Sequence, residues 1–376
     1  MTKSTILITG ASGKTGSAAA LELLSLGFPV RALVHREDAR SRVLSDAGAE
    51  IVTGKLEDLA SLSRAMTGVR RAYFVCPWTE NQLDISLNFA VAAADHELEH
   101  VVALGQWLSS PEHRSIATRR TYLMDRVLEW IPGSTWTLIN VGFFADNYMA
   151  VLEPIAQLGV MPLPLGSGLN APVSNEDIGR TVAGALAAPE LHAGRTYRPT
   201  GPALLSPDQI ADSFGRVLGR GVRHRDISPR LFLKAARSMV VPTGLIAQLD
   251  HYFQEYRLGA FGVGAPNDAV RFVTGREPED FDTIAERYID TALITGLVPA
   301  AARRARTRPT VSNKARALAG MARLLLTPAP RLERYELDRA YPEIGSPAYA
   351  MSSPGWLGSH DKPGAFGSEP VRNGDH

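Results

Sequence analysis

Short apolar runs alternate with amphipathic stretches over the first 140 residues. The runs fall at 5–9, 30–34, 51–52, 72–75, 101–104 and 136–139. They lack the polar alternation of a sheet with one wet face, so each reads as a strand covered on both sides. Leu21, Leu23, Leu24 and Leu26 follow the first run at helical spacing. Strands alternating with helices predict right-handed βαβ units and a parallel sheet, hence a doubly wound α/β fold.

After residue 150 the pattern loosens. Gly166, Gly168 and Pro172 mark an irregular loop. Two helix starts then follow, Ser174 three residues before Asp177 and Ser206 three before Gln209, with Pro207 at the first helical position. Both read as capping boxes, in which side-chain oxygens satisfy free backbone N–H groups. Ile210, Phe214, Val217 and Leu218 give the second helix an apolar face, and Gly219 ends it. A late strand at 195–200 and helices near 229–258 and 279–295 complete a smaller, mostly helical part.

The composition shifts again beyond residue 298. Residues 300–334 hold nine basic side chains and one acid, Glu333, for a local charge of +8. Ala315, Leu318, Ala322, Leu325 and Leu326 fall on one helical face there. This segment offers a surface to an anionic partner such as a lipid membrane, an acidic protein or nucleic acid. The plainer reading is a solvated helix that joins the body to a tail. Residues 335–376 hold five Pro and six Gly, the level of an extended tail. Tyr335, Tyr341, Tyr349, Trp356 and Phe366 are spaced through it, which suits packing along the body.

The segment richest in chemistry is Thr9-Gly10-Ala11-Ser12-Gly13-Lys14-Thr15-Gly16. It follows the first strand and opens the first helix. Gly10 permits a tight turn and Gly13 lets the backbone approach a diphosphate. Gly16, with Ala18, Ala19 and Ala20, allows close helix–sheet packing. The helix N-terminal N–H groups then face the phosphates with a favourable dipole. A βα turn without a ligand is the bland alternative. The second strand ends in His35 and Arg36, where an acid would hold a ribose 2′-hydroxyl and favour NAD. A guanidinium there suits the 2′-phosphate of NADP, so NADP(H) is expected over NAD(H). Glu37 and Asp38 are read as the start of the next helix.

These residues resemble the NmrA-like group of atypical short-chain dehydrogenase/reductases, over residues 4–295. The resemblance also rests on Arg31-Ala32-Leu33-Val34-His35-Arg36 and on Trp136-Thr137-Leu138-Ile139-Asn140-Val141-Gly142-Phe143-Phe144 with Asn147. Gly201-Pro202 and Gly275-Arg276-Glu277-Pro278 extend it. It implies a Rossmann core over residues 1–150 and a substrate-binding part over 151–298. The basic helical segment 299–334 and the tail 335–376 lie beyond it. It further implies that Cys76 and Pro77 border the cofactor, that Phe143 approaches the nicotinamide, and that Phe144 and Asn147 face the substrate. Two departures stand out: Lys55 replaces an Asp expected near adenine, and Gly105-Gln106 replaces a Ser-Ser pair after the fifth strand.

The wider superfamily uses a Tyr-x-x-x-Lys pair as proton machinery. This chain has six Lys against 34 Arg, and no Lys stands four residues after a Tyr. Tyr122 has Arg126 at that spacing and is the candidate catalytic phenol, with helix–sheet packing as its plainer role. Arg cannot relay a proton, because its pKa stays above about 12. One reading is therefore an NADPH-dependent oxidoreductase acting on a small conjugated electrophile (a quinone, iminium or enone), whose electronics need little acid help. The other is an NADP(H)-binding redox sensor that acts through a protein partner. Fold alone does not decide between them.

Charge and cysteine content prune the alternatives. Lys+Arg is 40 and Asp+Glu 39, which excludes a globally basic nucleic-acid binder. Cys76 is the single cysteine, so there is no disulfide framework or Cys-rich metal site. His96 and His100, four apart, read as a solvated pair rather than metal ligands. Asp146 reads as a polar helix start. No apolar run reaches the length of roughly 18 residues that a membrane span needs. The first element begins near Ser4, which leaves no room for a leader and makes a cytoplasmic location the expectation. At 376 residues, two domains or one large domain with additions are expected, and a homodimer is compatible with the sequence.

Overall fold

The computed structural model describes residues 3–238, 241–295 and 309–337. Six strands alternating with five helices open the chain. They are β1 (Ile6–Ile8), α1 (Lys14–Ser25), β2 (Val30–Val34), α2 (Ala39–Asp46), β3 (Glu50–Thr53), α3 (Leu59–Met66), β4 (Arg71–Phe74), α4 (Gln82–Asp95), β5 (His100–Gln106), α5 (Ile116–Glu129) and β6 (Thr135–Val141). After α6 (Leu152–Leu158) and β7 (Val160–Pro162) come α7 (Asn175–Ala187), α8 (Pro189–His192) and β8 (Arg195–Tyr197). The seven-stranded sheet has the order β3-β2-β1-β4-β5-β6-β8 and every pairing is parallel. The strand order reverses between β1 and β4, which opens a crevice at their carboxyl ends.

Alternate side chains along each strand feed opposite faces. Leu7, Leu33, Phe74, Val101 and Leu138 pack under α3, α4 and α5. Ile6, Ile8, Val34, Val102 and Ile139 pack under α1 and α7. Close approach of α7 to α1 depends on Gly179, where a Cβ would lie 2.5 Å from the Cβ of Ala18. The chain beyond residue 150 therefore supplies a sheet strand, β8, and a covering helix, α7, to the part before it.

A third core lies beyond the sheet. It is built by α9 (Pro207–Leu218), α10 (Pro229–Ser238), α11 (Thr243–Arg257) and α13 (Phe281–Thr295), together with β9 (Arg223–Arg225) paired to β7. The short α12 (Ala269–Thr274) precedes α13. Phe143, Tyr148, Phe214, Phe253, Tyr256, Phe261 and Phe281 are among its buried aromatics.

Two sequence expectations need correction. Ser174 caps α7 by accepting from the Asp177 N–H at 2.9 Å, but no reciprocal bond forms. The Asp177 carboxylate instead accepts from the Glu279 N–H at 2.8 Å and pairs with Arg180, so it ties α7 to the start of α13. The full box expected at Ser206 and Gln209 is present. The second correction concerns the basic helix, α14 (Val311–Leu326). Its buried positions are Asn313 and Ala317, whereas Ala315, Leu318 and Ala322 are exposed. Tertiary contact with α6 and α10 selects a face that sequence spacing alone does not reveal. The side chains of Leu325 and Leu326 and residues 300–308 lie outside the described residues, as do Tyr341, Tyr349, Trp356 and Phe366.

Candidate active site

Thr9 locks the ends of β1 and β4 together. Its N–H donates to the Tyr73 carbonyl at 3.0 Å, and its hydroxyl accepts from the Val75 N–H at 2.8 Å. The chain then turns through Gly10 at φ +57°, a conformation that favours glycine. The Gly13 N–H donates back to the Gly10 carbonyl at 2.8 Å. A Cβ at Gly13 would lie 2.9 Å from that oxygen, and one at Gly16 would collide with it. The result is a concave cradle of bare backbone.

Gly13 is the N-cap of α1 and supplies no side-chain cap. By contrast Asp38, Asp58 and Ser115 cap α2, α3 and α5. The first-turn N–H groups of α1 therefore have neither an intrahelical acceptor nor a cap, and they face the crevice with the positive end of the dipole. This arrangement fits a dinucleotide diphosphate. Ser12 is half-buried on the rim, and the buried Thr15 hydroxyl accepts from the Tyr73 hydroxyl at 3.3 Å. Lys14, exposed at the first position of α1, is ion-paired to Asp146 in the loop after β6. Asp146 thus begins a 3-10 turn over Ala145–Val151, as read, and also reaches across to the glycine turn.

At the end of β2, His35 and Arg36 are exposed. Asp38 does not compete for a ribose there. Its carboxylate accepts from the Arg40 and Ser41 N–H groups as the α2 cap. The Arg40 side chain and these backbone bonds hold its pKa down at about 2. Cys76 and Pro77 follow β4. The Cys76 thiol is pushed up to about 12 by burial and is no thiolate near neutrality. Gly105 is buried at the end of β5, where a Cβ would collide with the Asn140 side-chain oxygen.

Phe143 is 2% exposed, and its ring packs against Tyr148, Tyr256 and Phe253 with centroids 5.2, 5.3 and 5.7 Å away. Phe144 is half-buried against the α1/α7 core, and the half-buried Asn147 donates its N–H to the Phe144 carbonyl at 3.2 Å. Tyr122 is half-buried on α5, with the Arg126 guanidinium 5.3 Å from its ring centroid.

A cavity of about 320 Å³ opens just beyond β4. Trp78 and Thr79, the N-terminus of α5 from Ser115 to Arg120, and the α11 face around Gln248 line it. Tyr122 is not among its lining residues. Its floor is a buried network of neutral groups that the sequence did not announce. The Ser115 hydroxyl donates to Gln248 Oε1 at 2.6 Å, Thr118 donates to Gln106 Oε1 at 2.8 Å, and Gln106 Nε2 donates to Thr121 at 2.8 Å. Nearby Asp125, fully buried, accepts from the Ser109 hydroxyl at 2.8 Å, and burial raises its pKa to about 7. Gln106 stood out in the sequence only as a departure at the end of the fifth strand. Ser115, Thr118, Thr121, Asp125 and Gln248 carried no signal, because isolated Ser, Thr, Asp and Gln on a helix read as surface.

His96 and His100 form no pair. His96 bonds to Ser63 at 2.8 Å, while His100 is buried in β5 between Thr135 and Thr137. The solvated reading of His100 is thus corrected, since its strand position decides its burial. Among the described residues no cluster of His, Cys, Asp and Glu suits a metal ion. No described helix is long and apolar enough to cross a membrane.

The sheet order, the bare glycine cradle and the uncapped α1 define a Rossmann-type protein of the dinucleotide-binding class. The model of the NmrA-like family matches residues 2–280, and the chain belongs to that family. It is 27% identical over 292 residues to an NAD(P)H azoreductase from Xenophilus azovorans, covering 75% of this chain and 97% of that protein. It is 28% identical over 280 residues to a (4-alkanoyl-5-oxo-2,5-dihydrofuran-3-yl)methyl phosphate reductase from Streptomyces griseus, covering 73% and 95%. Among solved structures, the NADPH complex of a quinone oxidoreductase from Escherichia coli superposes with a TM-score of 0.65 at 21% identity, covering 75% of this chain and 99% of that one. The NADP(H) complex of the Citrobacter triphenylmethane reductase gives 0.64 at 20% identity with the same coverage.

Proposed function

We propose that the protein is an NAD(P)H-dependent reductase of small conjugated acceptors such as quinones, iminium ions or enones, with NADP(H) preferred. The observation that carries the reading is the uncapped α1 N-terminus behind Gly10, Gly13 and Gly16, at the point where strand order reverses between β1 and β4. A cavity lined by Trp78 and Thr79 opens past the neighbouring end of β4. Nicotinamide, when bound, supplies a hydride to an electrophilic carbon. The chain's own residues position and shelter the reaction. The glycine turn and Ser12, Lys14 and Thr15 hold the diphosphate, and Arg36 with His35 takes the 2′-phosphate. Cys76 and Pro77, next to the cavity residue Trp78, border the nicotinamide end, and Gly105 and the enclosed Phe143 support it from behind. Phe144 and Asn147 lie toward the substrate without lining the cavity. Tyr122 is the phenol proposed as proton donor. Its absence from the cavity lining favours acceptors that need little acid help.

Stopped-flow oxidation of NADPH against a panel of quinones, iminium ions and enones tests the reading. Oxidation by at least one class is expected. Tight NADPH binding with no oxidation by any acceptor would replace the enzyme by a cofactor-binding sensor.

A further inference from the structure

The family model ends at residue 280, yet a later segment closes the cavity. Residues 333–337 lie across the N-terminus of α5. The Leu337 N–H donates to the Arg114 carbonyl at 3.0 Å, and Glu336 forms an antiparallel bridge with Ser115. Arg114 Nε donates to Glu336 Oε2 at 2.9 Å, with both side chains about a third exposed or less. These contacts fix Arg334 and Tyr335 as cavity wall, with the Tyr335 ring packed over Gly244 of α11. A side chain at Gly244 would press on that ring, its Cβ only 3.3 Å from Tyr335 Cε1.

The charges that line the cavity do not balance. Glu80 and Arg334 face each other at 3.4 Å and offset one another. Among the described residues Arg120 bonds only to the Thr79 carbonyl, at 3.5 Å, a long and weak bond. A guanidinium beside the aromatic rings of Trp78 and Tyr335 is suited to a flat ligand carrying a carboxylate or sulfonate.

We propose that Arg334 and Tyr335 complete the substrate cavity as its outer wall and that, with them in place, Arg120 selects planar conjugated acceptors bearing an anionic group. The proposal rests on the reductase reading for the role of the ligand, but the geometry of the cavity stands apart from turnover.

Equilibrium binding to the full-length protein loaded with NADP⁺ tests it without any reaction. Anthraquinone-2-sulfonate and its neutral 2-hydroxymethyl analogue are titrated side by side. The sulfonate is expected to bind about tenfold tighter. Arg120→Gln should abolish that preference, Arg120→Lys should restore much of it, and both variants should keep the parent's NADP⁺ affinity. Tyr335→Ala should weaken both ligands by about fivefold, through lost aromatic contact. Equal affinities in the parent protein, or a preference that survives Arg120→Gln, overturns the proposal. The reductase reading fails separately: NADPH then resists oxidation by every acceptor even where the Arg120-dependent preference is seen.

Discussion

Lys14, the first residue of α1, is ion-paired to Asp146 from the loop after β6, so the one cationic side chain on the glycine turn is already engaged by an acid that is only 10% exposed. The pair stitches the glycine turn to the segment that leads from β6 into the third core. It also sets a tunable charge beside the diphosphate cradle. Asp146→Asn releases the ammonium and is expected to tighten NADPH binding about threefold, whereas Lys14→Ala leaves the acid unopposed and should weaken it about tenfold. Both effects should shrink as salt is raised from 0.05 to about 0.5 M. Fluorescence titration at the two salt levels checks this, and identical affinities for all three proteins would contradict it.

Gly16→Ala probes the cradle itself. Its Cβ would collide with the Gly10 carbonyl and press on the Ala11 backbone at 3.1 Å, so the turn must open. Loss of NADPH affinity by at least about thirtyfold is expected, with a stability cost of about 1–3 kcal/mol. Thermal unfolding with and without NADPH separates the two effects.

Arg36 is exposed, and Asp38 beside it is committed to the α2 cap. Arg36→Ala should therefore weaken NADPH about tenfold and leave NADH unchanged. Parallel titrations with the two nucleotides measure the ratio, and an unchanged ratio would remove Arg36 from the 2′-phosphate site.

The β-strand pattern, the glycine turn and the Ser206 cap were legible because each is set by local chemistry. Strand 101–104 was read four residues long and runs His100–Gln106, since Gly105 and Gln106 continue the ladder with Asn140 and Val141. The cavity was not legible. Its lining joins Trp78, Ser115, Gln248 and Tyr335, which are brought together only by the tertiary fold. Nor was the buried face of α14, because Asn313 breaks the apolar stripe that spacing suggests.

Asp125 gives the fold a pH signature. Burial raises its pKa from 3.8 to about 7, so the folded state holds this proton more tightly than the unfolded chain. Stability from this group is full below pH 4 and falls as pH rises toward 7, by an amount of the order of 3 kcal/mol. Asp125→Asn keeps an acceptor for Ser109 and removes the titration. Its stability relative to the parent should therefore climb between pH 4 and 7 in denaturant unfolding, and a flat difference would place a charged carboxylate there.

The buried histidines act in the opposite direction. Burial, then Arg71 and His192, lowers the His100 pKa from 6.5 to about 4, while burial and then Arg195 lowers that of His192 to about 4. The unfolded chain takes up these protons first, so stability is full above pH 6.5 and is lost as pH falls toward 4. His100→Gln should flatten that acid limb by an amount of the order of 2 kcal/mol, read from unfolding midpoints between pH 7 and 4.5.

Calorimetric titration of the full-length protein with NADPH and with NADH tests the central claim most directly. The bare turn at Gly10–Gly16 predicts one site per chain for NADPH, weaker binding of NADH, and no measurable site in Gly16→Ala. A protein that takes up neither nucleotide, or binds both equally well with Ala at position 16, would contradict it.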